Sequence, residues 1–243
     1  MKLKRPASVF SSAGFCPGCG HGLAARLIGE VSEEMGINEK LVTVIDVACC
    51  SFNIDYWNFD TIMAAHGRDV PTAVGVKHIR PDSIVMAYMG DGAAYAIGMA
   101  ETIHAALRND NICVAVINNS VFGMTGGQMA PTSLPGQKTA TSPNGKDPKR
   151  YGTISAVELL KNMDIAYLAR GELVGVAGMN KSKSMIRKAF AHQMAGDGFS
   201  MVELLSPCPI NLNMTPGKAK EYVHTELTKF YPVGEFINKG GND

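Results

Sequence analysis

The sequence predicts a doubly wound α/β fold, in which helices cover both faces of a mostly parallel sheet. Short runs rich in β-branched residues alternate along the chain with segments of helical periodicity, which is typical of parallel strands linked by helices. The run at 111–117 (NICVAVI) is almost continuously apolar, as expected for a strand buried on both faces. Because no internal repeat or linker interrupts this rhythm, we expect one domain over residues 1–243.

The individual elements follow from hydrophobic spacing. A first helix is predicted at 20–35, where Leu23, Leu27, Ile28 and Val31 recur at helical intervals. After it we expect strands at Leu41–Asp46, 83–88, 111–117, 165–169 and Ser200–Leu205, and helices at 93–108, 181–194 and 218–230.

Residues 118–152 break the alternation, because they are rich in Gly, Pro, Ser and Thr. A structureless stretch of this length inside a compact domain is usually either functional or disordered. Since it directly follows a buried strand, we expect its first part to bind a ligand.

Composition excludes several classes of partner. The chain carries 23 basic and 22 acidic residues, so neither sign dominates and no nucleic-acid or acidic membrane surface is expected. The basic N-terminus is not followed by an apolar signal segment, and no apolar run approaches the roughly 20 residues that cross a bilayer. We therefore expect a cytoplasmic protein without a membrane partner. Its six cysteines then favour metal or redox chemistry over disulfides.

A glycine-flanked acid lies between a predicted strand and a predicted helix. Gly90-Asp91-Gly92 could form a hairpin turn, but the segment after it is helical in period and not a second strand. The glycines permit close backbone approach, and the helix N-terminus favours a phosphate. Asn118-Asn119 ends the next strand, with 25 residues between the two motifs. If the strands are parallel, both motifs lie at one edge of the sheet, where oxygen ligands suit Mg²⁺.

The GDG and NN motifs at this spacing resemble the fingerprint of thiamine-diphosphate enzymes. The continuation VFGMTGGQ (121–128) is similar to that of the 2-oxoacid:ferredoxin oxidoreductases. The resemblance implies a pyrophosphate-binding domain in which the Asp91 and Asn119 side chains and the Val121 carbonyl hold Mg²⁺. The cofactor-binding residues that it implies are His66, Gly90, Asp91, Gly92, Asn119, Val121, Gly123, Met124 and Thr125.

The pair Cys16-Pro-Gly-Cys19 precedes the first predicted helix. A thioredoxin-like dithiol would need a strand before it, and a zinc site would need two further soft ligands, although there is no second CxxC. An iron–sulfur cluster needs four thiolates, which distant loops can supply. Cys50 and Cys208 both follow predicted strands, so a four-cysteine site is geometrically reasonable.

The segments FCPGCGHG, ACCS, HGR and LSPCP are similar to motifs of the oxidoreductase beta subunits. This resemblance implies that Cys16, Cys19, Cys50 and Cys208 bind one 4Fe–4S cluster. The chain departs from the family in having Cys49 where a glycine is typical, which leaves open which thiol of the pair is the ligand. It also has Ala93 where many members carry an acid, and Cys113 is expected to be a buried core residue.

The HGR motif carries two further expectations. A lone histidine is usually structural, but the resemblance places His66 against the cofactor phosphates. Arg68 could reach a substrate carboxylate or a partner chain.

The resemblance implies a beta subunit that oxidatively decarboxylates a 2-oxoacid to acyl-CoA and CO₂, with electrons leaving through the cluster to ferredoxin. It implies alpha, gamma and ferredoxin-like delta subunits, with the activating glutamate in a partner chain. Apolar Phe122 and Met124 favour 2-oxoisovalerate, while 2-oxoglutarate and pyruvate are alternatives. A non-redox thiamine-dependent decarboxylase subunit would leave the cysteines unexplained, and a zinc- or cluster-stabilised binding module would leave the Mg²⁺ motifs unexplained.

Overall fold

A seven-stranded sheet forms the centre of the protein in the computed structural model, which describes residues 5–10 and 14–240. The ends of the predicted 1–243 domain therefore lie outside the described residues. The strands are β1 (Leu41–Asp46), β2 (Asp60–Ala64), β3 (Ile84–Gly90), β4 (Cys113–Asn118), β7 (Tyr167–Glu172), β8 (Ser200–Leu205) and β9 (Gly234–Asn238), while β5 (Val121–Phe122) and β6 (Gln128–Met129) form a separate antiparallel pair.

The strand order is β2-β1-β3-β4-β8-β7-β9, and every neighbouring pair is parallel except β7 and β9. Along β3, Met86 and Tyr88 pack into one hydrophobic core, and Val85, Ala87 and Met89 pack into the other. The two cores lie on opposite faces of the sheet, because side chains of a strand alternate between its faces. The predicted doubly wound, mostly parallel fold is confirmed.

Helices cover each face. Helices α1 (Gly20–Glu34) and α5 (Gly175–Ala195) pack into the first core, and α2 (Asp69–Ile79), α3 (Met99–Leu107) and α4 (Ala156–Leu160) pack into the second. Between β8 and β9 lie α6 (Pro216–Tyr222) and α7 (Thr228–Phe230), which are joined by a π-helical turn. Among the described residues, no helix is both long and apolar enough to cross a membrane.

The helix predicted at 93–108 is interrupted. It begins as a π-helical turn at Ala93–Ile97 and continues as α3 after Gly98. A Cβ on Gly98 would come within 2.5 Å of the Gly67 carbonyl oxygen, so the loop at Gly67 packs directly on this break. The helix predicted at 181–194 begins earlier, at Gly175, and the one predicted at 218–230 is divided among α6, a π-helical turn and α7.

The sequence analysis missed β2, α2, α4 and β9. Helix α2 contains Pro71 and Gly75, both poor helix formers. Pro71 is tolerated because it lies in the first turn, where the backbone N–H groups have no partner within the helix.

The segment 118–152 is ordered by side-chain hydrogen bonds more than by regular structure. Buried Lys146 donates through Nζ to the carbonyl oxygens of Pro131, at 3.0 Å, and Ser133, at 2.8 Å. Thr139 and Ser142 bond to each other through their hydroxyls at 2.6 Å. The loop is therefore tied to itself at several points along its length.

Candidate functional site

A cavity of about 290 Å³ opens at the carboxyl ends of β1, β3 and β4. Strands β3 and β4 are parallel with Gly90 opposite Ile117, which confirms the expectation that the GDG and NN motifs share one edge of the sheet. The cavity is lined by all nine residues predicted to bind the cofactor, namely His66, Gly90, Asp91, Gly92, Asn119, Val121, Gly123, Met124 and Thr125.

Asp91 is buried at the cavity wall and accepts a hydrogen bond from the Thr132 hydroxyl. Burial raises the pKa of its carboxyl to about 7; Thr132 opposes this shift and the Glu203 carboxylate adds to it. A cation beside Asp91 would restore the ionised form, because an opposite charge favours it.

Asn119 lies at the start of a tight turn. Its Oδ1 accepts a hydrogen bond from the Val121 N–H at 3.2 Å, and the intervening Ser120 has φ 60°, a left-handed conformation that is unusual for a residue other than glycine. Asn119 and Val121, at the two ends of this turn, both line the cavity.

The oxygen donors at this edge fit Mg²⁺, which prefers carboxylate, amide and carbonyl oxygens and usually takes the rest of its shell from phosphate and water. Within the described ranges, no three His, Cys, Asp or Glu side chains are grouped closely enough to hold a metal ion. A site with one carboxylate and neutral oxygens does not require such a group. Gly92 permits the Phe122 ring to pack closely on the backbone, since a Cβ at position 92 would lie 2.3 Å from that ring.

His66 is held by a residue that the sequence analysis did not identify. Its Nδ1 lies 2.9 Å from Oδ1 and 3.0 Å from Oδ2 of Asp46, and the same carboxylate accepts a hydrogen bond from the Gly67 N–H at 3.1 Å. Asp46 is fully buried and ends β1 at the cavity. A proton on Nδ1 satisfies the carboxylate, so Nε2 is the ring nitrogen that can meet a ligand. The sequence signal was an acidic residue at the carboxyl end of an apolar strand.

Arg68 lies outside this cavity wall. Its Nη1 donates to the carbonyl oxygens of Gly67 and Ile97, both at 3.0 Å, and pairs with Glu101 at 3.2 Å. These contacts fasten the loop to the π-helical turn, and nothing in them supports a contact with substrate.

The cysteines predicted to bind a cluster come from three loops beside the cavity. The pKa of the Cys19 thiol is raised to about 12 and that of the Cys49 thiol to about 11, chiefly by burial, with the nearby Cys208 and Cys16 sulfurs contributing to both shifts. The loops also touch directly, since the Gly20 N–H donates to the Pro207 carbonyl at 3.3 Å. Thiolates are the usual ligands of iron–sulfur clusters. Within the described ranges no three of these cysteines are grouped closely enough to hold a metal ion, so the cluster stays a prediction.

Cys49 and Cys50 both line the cavity but have different neighbours. A Cβ on Gly123 would lie 3.3 Å from the Cys49 sulfur, so Cys49 faces the cofactor loop. Cys50 is completely buried, and its thiol pKa is raised by burial first and then by Asp46 and Asp69. The assignment of Cys50 as the ligand stays a prediction. Cys113 lies in the core on β4, as expected.

Asn211 connects the Cys208 loop with the cofactor loop, and no sequence motif marks it. Its Nδ2 lies 3.3 Å from the Cys208 sulfur and donates to the Gly123 carbonyl at 3.0 Å. The side chain of Asn211 thus bridges a proposed cluster ligand, Cys208, and a proposed cofactor residue, Gly123.

Comparison with known proteins agrees with this geometry. Residues 46–204 match the family model described as "Thiamine pyrophosphate enzyme, C-terminal TPP binding domain". The chain is 37% identical over 97% of its length to the ketoisovalerate oxidoreductase subunit VorA of Methanothermobacter thermautotrophicus, of which it covers 50%. It is 35% identical over 83% of its length to the 2-oxoglutarate synthase subunit KorB of Archaeoglobus fulgidus, of which it covers 72%. The chain thus spans about half the length of its VorA relative.

Among solved structures, a 2-oxoglutarate:ferredoxin oxidoreductase from Magnetococcus marinus matches with a TM-score of 0.79 and 23% identity. The match covers 100% of this chain and 87% of that chain, and it supports the fold alone.

Proposed function

Because this chain belongs to the thiamine-pyrophosphate-binding subunits of the 2-oxoacid:ferredoxin oxidoreductases, we propose that it holds thiamine diphosphate and Mg²⁺ at the carboxyl edge of its sheet, beside a 4Fe–4S cluster. The observation that carries the proposal is the convergence of three separate segments, at residue 66, residues 90–92 and residues 119–125, on one cavity. Thiamine diphosphate supplies the stabilisation of a carbanion that decarboxylation requires.

Each side chain has a distinct task in this proposal. Asp91, the Asn119 amide oxygen and the Val121 carbonyl hold Mg²⁺, which binds the diphosphate. His66 is fixed by Asp46 through Nδ1, so Nε2 would be the nitrogen that it offers to the phosphates. Gly92 is needed at its position because the Phe122 ring leaves no room for a side chain there.

The proposed cluster ligands are Cys16, Cys19, Cys208 and Cys50, with Cys49 as the alternative to Cys50. The contacts of Asn211 with Cys208 and Gly123 support a cluster close enough to the cofactor to accept its electrons.

The proposed reaction is oxidative decarboxylation of a 2-oxoacid to acyl-CoA and CO₂, with ferredoxin as electron acceptor. Partner alpha, gamma and ferredoxin-like delta subunits would supply the activating glutamate and the onward electron path. We therefore expect that the chain, loaded with cluster, Mg²⁺ and thiamine diphosphate, is inactive without partners. Turnover by the lone chain at the rate of the full complex would contradict this.

The favoured substrate is 2-oxoisovalerate. The relative named for ketoisovalerate matches 97% of the chain, and apolar Met124 and Val47 line the cavity. A second candidate, 2-oxoglutarate, is supported by the KorB relatives. A non-redox decarboxylase subunit remains the alternative from another reaction class, and it predicts a chain without iron.

The site is tested by removing its metal ligands separately from its thiols. Asp91→Ala and Asn119→Ala should each abolish retention of thiamine diphosphate through gel filtration and leave the iron content unchanged. Cys16→Ser should do the reverse. Normal thiamine diphosphate content in both oxygen-ligand variants would refute the assignment.

A further inference from the structure

The loop at residues 130–146, here called the strap, contacts Asp91 of the proposed Mg²⁺ site. Its residue Thr132 is fully buried and donates its hydroxyl hydrogen to Oδ2 of Asp91. No cofactor contact was predicted for this part of the loop. The hydrogen bond links it to a cavity residue 41 positions earlier in the chain.

The strap also forms hydrogen bonds with the turn that carries the other proposed Mg²⁺ ligands, Asn119 and Val121. Ser133 Oγ donates to the Ser120 carbonyl at 2.6 Å, and Gln137 Nε2 donates to the same carbonyl at 3.1 Å and to the Ser120 hydroxyl at 3.0 Å. Ser120 has the left-handed φ of 60° that forms the turn between Asn119 and Val121. Such a backbone conformation persists only where its surroundings fix it.

The strap is itself anchored. Lys146 Nζ bonds to the Pro131 and Ser133 carbonyls, and the Tyr231 hydroxyl donates to the Thr132 carbonyl at 2.7 Å and to the Ile154 carbonyl at 3.1 Å. The backbone of Thr132 is therefore anchored by the hydrogen bond to its carbonyl oxygen. Its hydroxyl can orient Asp91, since the anchored backbone and the burial of Thr132 limit where the hydroxyl oxygen can lie.

We propose that Thr132 is a positioning residue for the metal ligand Asp91: its hydroxyl occupies Oδ2 and leaves Oδ1 to bind Mg²⁺. The inference rests on the proposed function, because it assumes that Asp91 is the ligand. A hydroxyl donor on one oxygen keeps the carboxylate from rotating and stabilises its charge. Groups that orient a metal ligand in this way typically contribute about 10- to 100-fold to metal affinity.

The test compares Thr132→Val, which removes the hydroxyl at nearly constant shape, with Thr132→Ser, which keeps it. The full chain, with any subunits that co-purify, is titrated with Mg²⁺, and retained thiamine diphosphate is measured after gel filtration. We expect Thr132→Val to need about tenfold or more Mg²⁺ for half-retention, Thr132→Ser to stay near wild type, and iron content to be unchanged in both. If Thr132→Val does not fold, Thr132→Ala gives the same readout.

Thr43→Val is the matched control. The Thr43 hydroxyl is also buried, but it bonds to Thr61 at 2.9 Å, away from the cavity. It should lower thermal stability without moving the Mg²⁺ titration. Asp91→Asn tests the assignment of the metal ligand separately from the positioning role of Thr132. If Asp91→Asn loses the cofactor and Thr132→Val titrates like wild type, the positioning role is wrong and the site stands. If Asp91→Asn also titrates like wild type, both are wrong.

Discussion

His66 and the buried Asp46 form a pair in which Nδ1 of the histidine lies 2.9 Å from the carboxylate of the aspartate. The pair sets which nitrogen of the ring carries the proton. It also joins the end of β1 to the HGR loop.

The first prediction concerns this pair. Asp46→Asn should weaken binding of thiamine diphosphate by roughly the same factor as His66→Ala, because His66 is no longer held with Nε2 towards the phosphates. The double variant should be little worse than either single one, since residues that act through one contact are not additive. Binding is measured by titration of the cofactor at saturating Mg²⁺. Fully additive losses would show that the two residues act separately.

The second prediction concerns the fourth thiol. Cys50→Ser should lower iron and sulfide content, and Cys49→Ser, one position earlier, is the matched control that should not. Both variants are purified anaerobically and compared by iron content and visible absorbance. Loss of iron only in Cys49→Ser would make Cys49 the ligand, in keeping with its place beside Gly123. Full iron in both would mean that the cluster takes another ligand.

The third prediction follows from the pKa of Asp91, which burial raises to about 7. Between the pKa of an unfolded aspartate, about 3.9, and about 7, the folded state keeps a proton that the unfolded state has lost. The stability of the metal-free protein should therefore fall as pH rises through that window. Asp91→Asn cannot ionise, so its stability relative to wild type should grow by roughly 3 kcal/mol between about pH 5 and about pH 8.

Chemical unfolding of both proteins after removal of Mg²⁺ and cofactor measures this difference. Saturating Mg²⁺ with thiamine diphosphate should reverse it, because the ligands bind the ionised form of wild type. A difference that does not change with pH would mean that Asp91 is already ionised in the metal-free protein.

The fourth prediction concerns the substrate. The assembled enzyme should turn over 2-oxoisovalerate faster than 2-oxoglutarate with a viologen acceptor. The described cavity offers apolar Met124 and Val47, and burying the second carboxylate of 2-oxoglutarate without a partner is costly. The opposite preference would assign the chain to the 2-oxoglutarate enzymes.

Much of the site could be predicted because its motifs lie at the ends of consecutive strands. GDG and NN follow β3 and β4, which are neighbours in the sheet as well as in sequence. The hydrogen bonds that the sequence did not reveal join distant positions. They link Asp46 with His66, Thr132 with Asp91, and Asn211 with Gly123. Each depends on how loops pack, which local periodicity does not encode.

The fold shows the same division. Strongly periodic or apolar elements such as α1, β1 and β8 were predicted closely. The partly exposed edge strands β2 and β9 were missed, because an edge strand needs no continuous apolar run. The break at Gly98 was also missed, since it depends on the approach of Gly67.

The most direct test of the central claim is the cofactor content of the chain after anaerobic purification and separation from any ferredoxin-like subunit, which would bring iron of its own. The account predicts one thiamine diphosphate, one Mg²⁺, and about four iron and four sulfide per chain, as one 4Fe–4S cluster requires. Thiamine diphosphate without iron would identify a non-redox decarboxylase subunit, and iron or zinc without thiamine diphosphate would identify a metal-stabilised binding module. Either result would contradict the account.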